Sequence, residues 1–327
     1  MLHQNRILVR LVGLVDQIPL PARPSKRSRG RPNTYSERLI MKALVIMIVR
    51  RLYSASALLA FLEQEDELSQ QLRGLLCENG QFPSRRTWER RLAKLPDQLP
   101  DLIGCLGRQL VELIQPWAGW GYAAAMDSTP LKTGGGIWHK KYRQTGEIPH
   151  SSIDTEAGWS KSGWHGWWYG WKLHLAVAVG AVWIPLAAEL TAANTYDASL
   201  APKLLPQLPA QVRYILGDSH YNDLLLRQDC QRDNRLLVAT RRGKHPHIDT
   251  GVEVRRLFHK LRSQAIEPFN NLFKSVFAWH TQMPVKGLRP SQLLALGAIF
   301  VYQLVLLYQF QQHLPIGKGI KAFLRAA

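Results

Sequence analysis

Cysteine is scarce. The 327 residues hold three, Cys77, Cys105 and Cys230, each standing alone. No CxxC pair occurs, which argues against a thiolate zinc site, and an odd, sparse count argues against a disulfide-built secreted scaffold. A Gly-rich phosphate loop of the Walker or dinucleotide type is missing, and so is any internal repeat. The first 20 residues lack the charged, apolar and cleavage-site order of a signal peptide, so a cytoplasmic location is expected. No apolar run reaches the roughly 20 residues of a membrane span. The nearest, Leu293–Tyr308, is interrupted by Gln303 and reads as a buried core helix, so no membrane partner is expected.

Acid is the other shortage. There are 24 Asp and Glu against 42 Lys and Arg, a net charge of +18. Such a surplus argues for a polyanionic partner, nucleic acid or an anionic surface. It is spread along the chain, and the last 60 residues, after Glu267, contain no acid at all. At 46% hydrophobic, the chain has enough apolar material for a sizeable core.

Three parts are expected. Residues 1–34 read as a basic flexible arm, because PARPSKRSRGRP at 21–32 carries five basic groups and three prolines. Its RGRP core resembles an AT-hook, and a tail touching phosphates non-specifically is the plainer reading. Residues 35–118 read as a helical DNA-binding region. Apolar residues recur at three- and four-residue spacing in Tyr35–Leu52, Ala55–Leu62, Leu68–Leu76 and Asp101–Ile114. Ser84 is placed to cap a helix carrying Arg85, Arg86, Arg90 and Arg91, with Trp88 or Leu92 turned inward.

From about residue 119 the pattern changes. Tyr122–Met126 is a short apolar run, Leu173–Val179 and Val182–Glu189 form a hairpin pattern about Gly180-Ala181, and Arg213–Leu216 and Arg235–Thr240 read as strands. Helical patterns at Ser199–Leu205 and Tyr221–Arg232 lie between the last three. Asp127 and Asp218 fall just past predicted strand ends, and Glu267 falls in a later helical segment. Carboxylates at the ends of neighbouring strands can converge, and hard oxygen ligands of this kind hold Mg²⁺ or Mn²⁺. Taken singly, each acid reads equally as a turn residue or a helix cap.

Six segments in order carry a resemblance. They are MDSTPL from Met126, WWYGWKLHLAVAV from Trp167, LTAANTYDA from Leu190, GDSHYND from Gly217, VATRRGK from Val238 and AIEPFNNLFK from Ala265. Together they resemble the DDE insertion-sequence transposases of the IS-four-like group. The resemblance implies an α/β fold: an RNase-H-like mixed sheet flanked by helices over 119–327, after an all-helical N-terminal region. It implies Asp127, Asp218 and Glu267 as catalytic ligands of two Mg²⁺ or Mn²⁺ ions. Double-stranded DNA, as transposon ends and target, would be the partner, with a homodimer acting on it. A catalytically inactive DNA-binding relic, or a metal-dependent nuclease of the same fold, is the alternative.

Around the third acid the group shows Tyr-(2)-Arg-(3)-Glu-(6)-Lys. Here Lys274 is in place, while Lys260 and Ser263 stand at the Tyr and Arg positions, with Arg262 one residue away. Pro268 suggests that the helix begins there. Lys274, Arg241, Arg242 and Lys172 are expected to meet DNA phosphates, together with Arg85, Arg86, Arg90 and Arg91. Five of the eleven tryptophans lie within 159–171. Trp167 and Trp171 are expected in the core, and Trp159 and Trp164 are open between packing and stacking on bases.

Overall fold

Serine and aspartate set the starts of the helices. In a computed structural model, which describes residues 2–21, 34–118, 121–163, 166–239 and 252–327, six helices come first. They are α1 Leu2–Leu14, α2 Glu37–Arg50, α3 Ala55–Leu62, α4 Glu67–Leu75, α5 Arg85–Lys94 and α6 Leu99–Ala118. Side chains of Ser36, Ser54, Asp66 and Ser84 accept the N–H three residues on, capping α2 to α5. Each such cap contributes about 1 kcal/mol.

The expected flexible arm is corrected at its start. Residues 2–14 form α1, and Leu8, Leu11, Val12 and Val15 are buried at helical spacing against α2 and α4. The proline-rich, basic stretch after it, including RGRP, lies outside the described residues.

The rest of the chain is β1 Ala123–Lys132, α7 Lys140–Thr145, β2 Gly158–Ser162, β3 Gly166–Ala178, β4 Pro185–Ala192, α8 Asp197–Leu204, β5 Tyr214–Gly217, α9 Leu224–Arg232, β6 Leu236–Ala239, α10 Val252–Phe277, α11 Leu288–Gln311 and α12 Ile320–Ala326. Antiparallel pairs join β1 to β3 and β3 to β4. Parallel pairs join β1 to β5 and β5 to β6. The order β4-β3-β1-β5-β6, antiparallel then parallel, is the RNase-H-like arrangement. Strand β3 is long enough to take β2 along Gly166–Gly170 and β4 along Trp171–Val177 on the same edge.

Both faces of the central strands are covered, so β3 is buried from Trp168 to Ala178 with only Lys172 part-exposed. Helices α6 and α11 pack on β4, and α10 packs on β1, β3 and β5. The helices of residues 2–118 and the sheet share one apolar core running from Leu8 to Ala327. Gly107 lets α6 lie close on β4: a Cβ there would stand 2.7 Å from the carbonyl oxygen of Pro185. Helix α11 is long and apolar enough to cross a bilayer, and it lies in the middle of this core. Gln303, the polar break in its sequence, donates to the carbonyls of Ile103 and Pro185, tying α6 to β4.

Helix α10 departs from expectation. It runs unbroken through Pro268 for 26 residues. A proline in mid-helix costs about 3 kcal/mol in a free helix. Here the buried stripe Ala265, Ile266, Phe269 and Phe273 continues across it and packs on the sheet, which outweighs one lost hydrogen bond.

Candidate active site

The register of two strands sets the first acids level. The parallel β1–β5 pairing ends at Ala125 opposite Leu216. Asp127 and Asp218 each lie two residues further on. Asp127 is not past the end of its strand, because β1 continues to Lys132 against β3. It is past the end only of the pairing with β5. Asp218 follows Gly217, where a Cβ would come 2.6 Å from the Cβ of Tyr221. The bare glycine lets the turn fold back and buries Tyr221 under the acids.

Asp218 caps its own turn. One carboxylate oxygen accepts the His220 N–H at 2.8 Å, and the other is 2.9 Å from His220 Nδ1. Asp127 accepts the N–H of Ser128 at 2.8 Å, and its side chain is about a quarter exposed at 24%.

Glu267 comes from α10 and is more exposed. It meets Asp127 through a shared cation. Arg262 Nη1 is 3.6 Å from Asp127 Oδ2, and Arg262 Nη2 is 3.5 Å from Glu267 Oε1. The Arg262 side chain is only 10% exposed. The three carboxylates themselves do not close on one point. Among the described residues no group of three acid, histidine or cysteine side chains is spaced as a metal cage. The guanidinium stands where Asp127 and Glu267 would otherwise approach.

Burial pushes the Asp127 carboxyl up to about 7; Arg262 and the Ser128 N–H oppose this, and Asp218 and Asp197 add to it. Lys274 is half-buried near the same carboxylate. Burial holds its ammonium below the usual lysine range, and Asp127 pulls it back up. It is therefore within electrostatic reach of Asp127 and only partly exposed. Tyr221 is buried, its hydroxyl without a hydrogen-bond partner, and burial together with Asp197, Asp127 and Asp218 drives the phenol far up.

A fourth acid was missed by residue-level reading. Asp197, from the LTAANTYDA segment, is 3.0 Å from Lys172 Nζ and 3.6 Å from His174 Nδ1. Lys172 also donates to the carbonyl of Thr195 at 3.1 Å. The side chains of Lys172 and Asp197 are 14% and 12% exposed. Lys172, expected at DNA phosphates, is here held in an internal pair. Pairing in the sheet explains it: Lys172 and His174 alternate on β3 opposite Thr191 and Glu189, on the face that receives Asp197. His174 is fully buried, with Nε2 2.9 Å from Thr191 Oγ1.

On α5, Trp88 and Leu92 are buried, and Arg85, Arg86 and Arg90 are exposed. Arg85 pairs with Glu89 at 2.8 Å. Arg91 turns away from this face and donates to the carbonyls of Tyr35 and Ser36 at the start of α2. Trp171 is buried, while Trp167 is 65% exposed, contrary to expectation. It lies where β3 pairs only with β2, beyond the covering helices, with Trp159 edge-on at 6.4 Å. Arg241, Arg242 and Trp164 lie outside the described residues.

A family model described as a transposase DDE domain matches residues 121–304, from the start of β1 into α11. The chain belongs to this transposase DDE family. No curated protein matches it. Among solved structures it is similar to the piggyBac transposase of a synaptic complex with hairpin DNA. That likeness has 10% identity and a TM-score of 0.42, over 99% of this chain and 76% of that one.

For a DDE transposase domain the donor chemistry here fits divalent ions. Asp127, Asp218 and Glu267 offer hard carboxylate oxygens. Asp127 and Glu267 already share one positive group, the Arg262 guanidinium.

Proposed function

We propose that this chain is the transposase of an insertion sequence, cutting DNA at transposon ends and joining the freed 3′-hydroxyls to target DNA. The observation that carries the reading is the level placement of Asp127 and Asp218 beyond the last β1–β5 pair, with Glu267 joined to Asp127 through Arg262. Asp127, Asp218 and Glu267 would hold Mg²⁺ or Mn²⁺. Bound there, the ions supply charge at the phosphodiester and make water or a 3′-hydroxyl a usable nucleophile at neutral pH.

The protein's own groups bind and orient. His220 fixes the Asp218 carboxylate through two contacts. Lys274 adds positive charge beside Asp127, where a phosphate crossing the site would lie. Arg86 and Arg90 present charge on α5 for the flanking duplex. Hydrolysis adds water across one P–O bond and frees a 3′-hydroxyl. In joining, that hydroxyl attacks a target phosphate, its proton is lost, and a target 3′-oxygen leaves.

A DNA-binding relic is the second reading, favoured by the offset of Arg262 from the family pattern and by the spread of the three acids. Labelled DNA carrying the element's ends, incubated with the full chain and Mg²⁺, separates the readings. Cleaved and joined products are expected. Binding without either product would leave the relic, and cleavage without joining would leave a nuclease.

A further inference from the structure

Arg262 is oddly placed for a surface cation. It lies five residues before Glu267 on α10, and both face the sheet end that carries Asp127. Its guanidinium divides its two forks between carboxylates from different elements. Neither contact is short: both exceed the roughly 2.9 Å of a good charge-assisted hydrogen bond. Its Nε is buried and has no hydrogen-bond partner. The group is therefore held by charge more than by fitted hydrogen bonds. Beside it a small cavity is lined by Gly217, Val238, Phe258 and His259.

These observations suggest a placeholder. Two carboxylates brought to one end of the sheet repel, and a cation between Asp127 and Glu267 offsets that repulsion. A permanent structural pair would be expected to sit in closer, bidentate contact. A guanidinium held by charge rather than by fitted hydrogen bonds can be replaced by another cation.

We propose that Arg262 is a resident cation of the acid site: it holds Asp127 and Glu267 in position and competes directly with the divalent ion. The proposal rests on the metal-binding reading of the three acids. It makes Arg262 a positioning residue that gives up its place between the two carboxylates when an ion enters.

The test uses Mn²⁺ alone and the full chain, with free Mn²⁺ counted by electron paramagnetic resonance. Arg262→Gln is expected to bind Mn²⁺ roughly tenfold tighter than wild type, a change of the size that neighbouring groups exert on metal sites. Arg262→Lys keeps one charge and reaches only one carboxylate, so it should fall between the two. It carries the test if the glutamine variant fails to fold. Wild-type protein labelled at arginine Nε should also show one side-chain signal, absent in Arg262→Lys, that shifts on adding Mg²⁺.

Equal or weaker Mn²⁺ affinity in both Arg262 variants would overturn the proposal while leaving the metal site standing, provided that Asp127→Asn still abolishes binding. No Mn²⁺ binding in wild type or in any variant would overturn both readings.

Discussion

Asp127 and Asp218 lie two residues beyond the same backbone pair, Ala125 and Leu216, on neighbouring parallel strands. That register sets the two acids level at one end of the sheet. Their repulsion contributes to pushing the Asp127 carboxyl up, after burial. Any positive group brought to this end of the sheet therefore gains from both acids.

The Lys172–Asp197 pair is structural by this account. Both side chains are largely buried, so Lys172→Met leaves Asp197 uncompensated and should cost about 3 kcal/mol. Urea denaturation measures this loss. At temperatures where the variant is folded, the salt dependence of DNA binding should match wild type. A reduced slope would put Lys172 back at the DNA.

His174 gives the fold a defined acid sensitivity. Burial lowers its pKa from 6.5 to about 4, against the opposing pull of Asp197. The folded state therefore prefers the neutral ring. This stability is fully present above about pH 6.5 and is lost as pH falls toward 4, by at most about 3 kcal/mol. Urea midpoints between pH 7 and pH 4.5 should fall more for wild type than for His174→Gln. Parallel curves would show that this histidine does not control the transition.

Two arginines on α5 are expected to behave differently from a third. Arg86→Ala with Arg90→Ala should weaken DNA binding and reduce its salt slope by about two, because each phosphate contact releases counterion. Arg91→Ala should instead lower stability by about 1 kcal/mol, since its guanidinium satisfies two carbonyls at the start of α2. Fluorescence anisotropy over a salt series, beside thermal melts, distinguishes the two behaviours.

Much of the frame was legible in the chain. Ala55–Leu62 is a helix with the bounds its apolar spacing predicts, and Ser84 caps α5 as its position before a basic run implies. The β3–β4 hairpin and the last two strands follow from short apolar runs. Where reading failed, tertiary packing decided. Residues of α1 looked like part of a basic arm because PARPSKRSRGRP dominates the local composition, yet their apolar spacing was there to see. Pro268 looked like a helix start, because a local rule does not weigh the stripe that continues on both sides of it. Trp167 departs from its expected core position because sequence does not say where a strand outruns its covering helices.

In the site, the acids were readable from motif order, and their level placement was not, because register is a property of pairing. Asp197 stands within LTAANTYDA, where no spacing marks it as a site residue. Its contact with Lys172 and His174 joins residues from two elements. Arg262 was visible only as a misplaced arginine. Its meaning comes from standing between Asp127 and Glu267.

The central claim is that Asp127, Asp218 and Glu267 act as one catalytic set. The most direct measurement is Mg²⁺-dependent cleavage of labelled element ends by Asp127→Asn, Asp218→Asn and Glu267→Gln, each first shown to be folded by circular dichroism. Each variant is expected to lose cleavage while still binding the end DNA. Near-wild-type cleavage by any one of the three would contradict it.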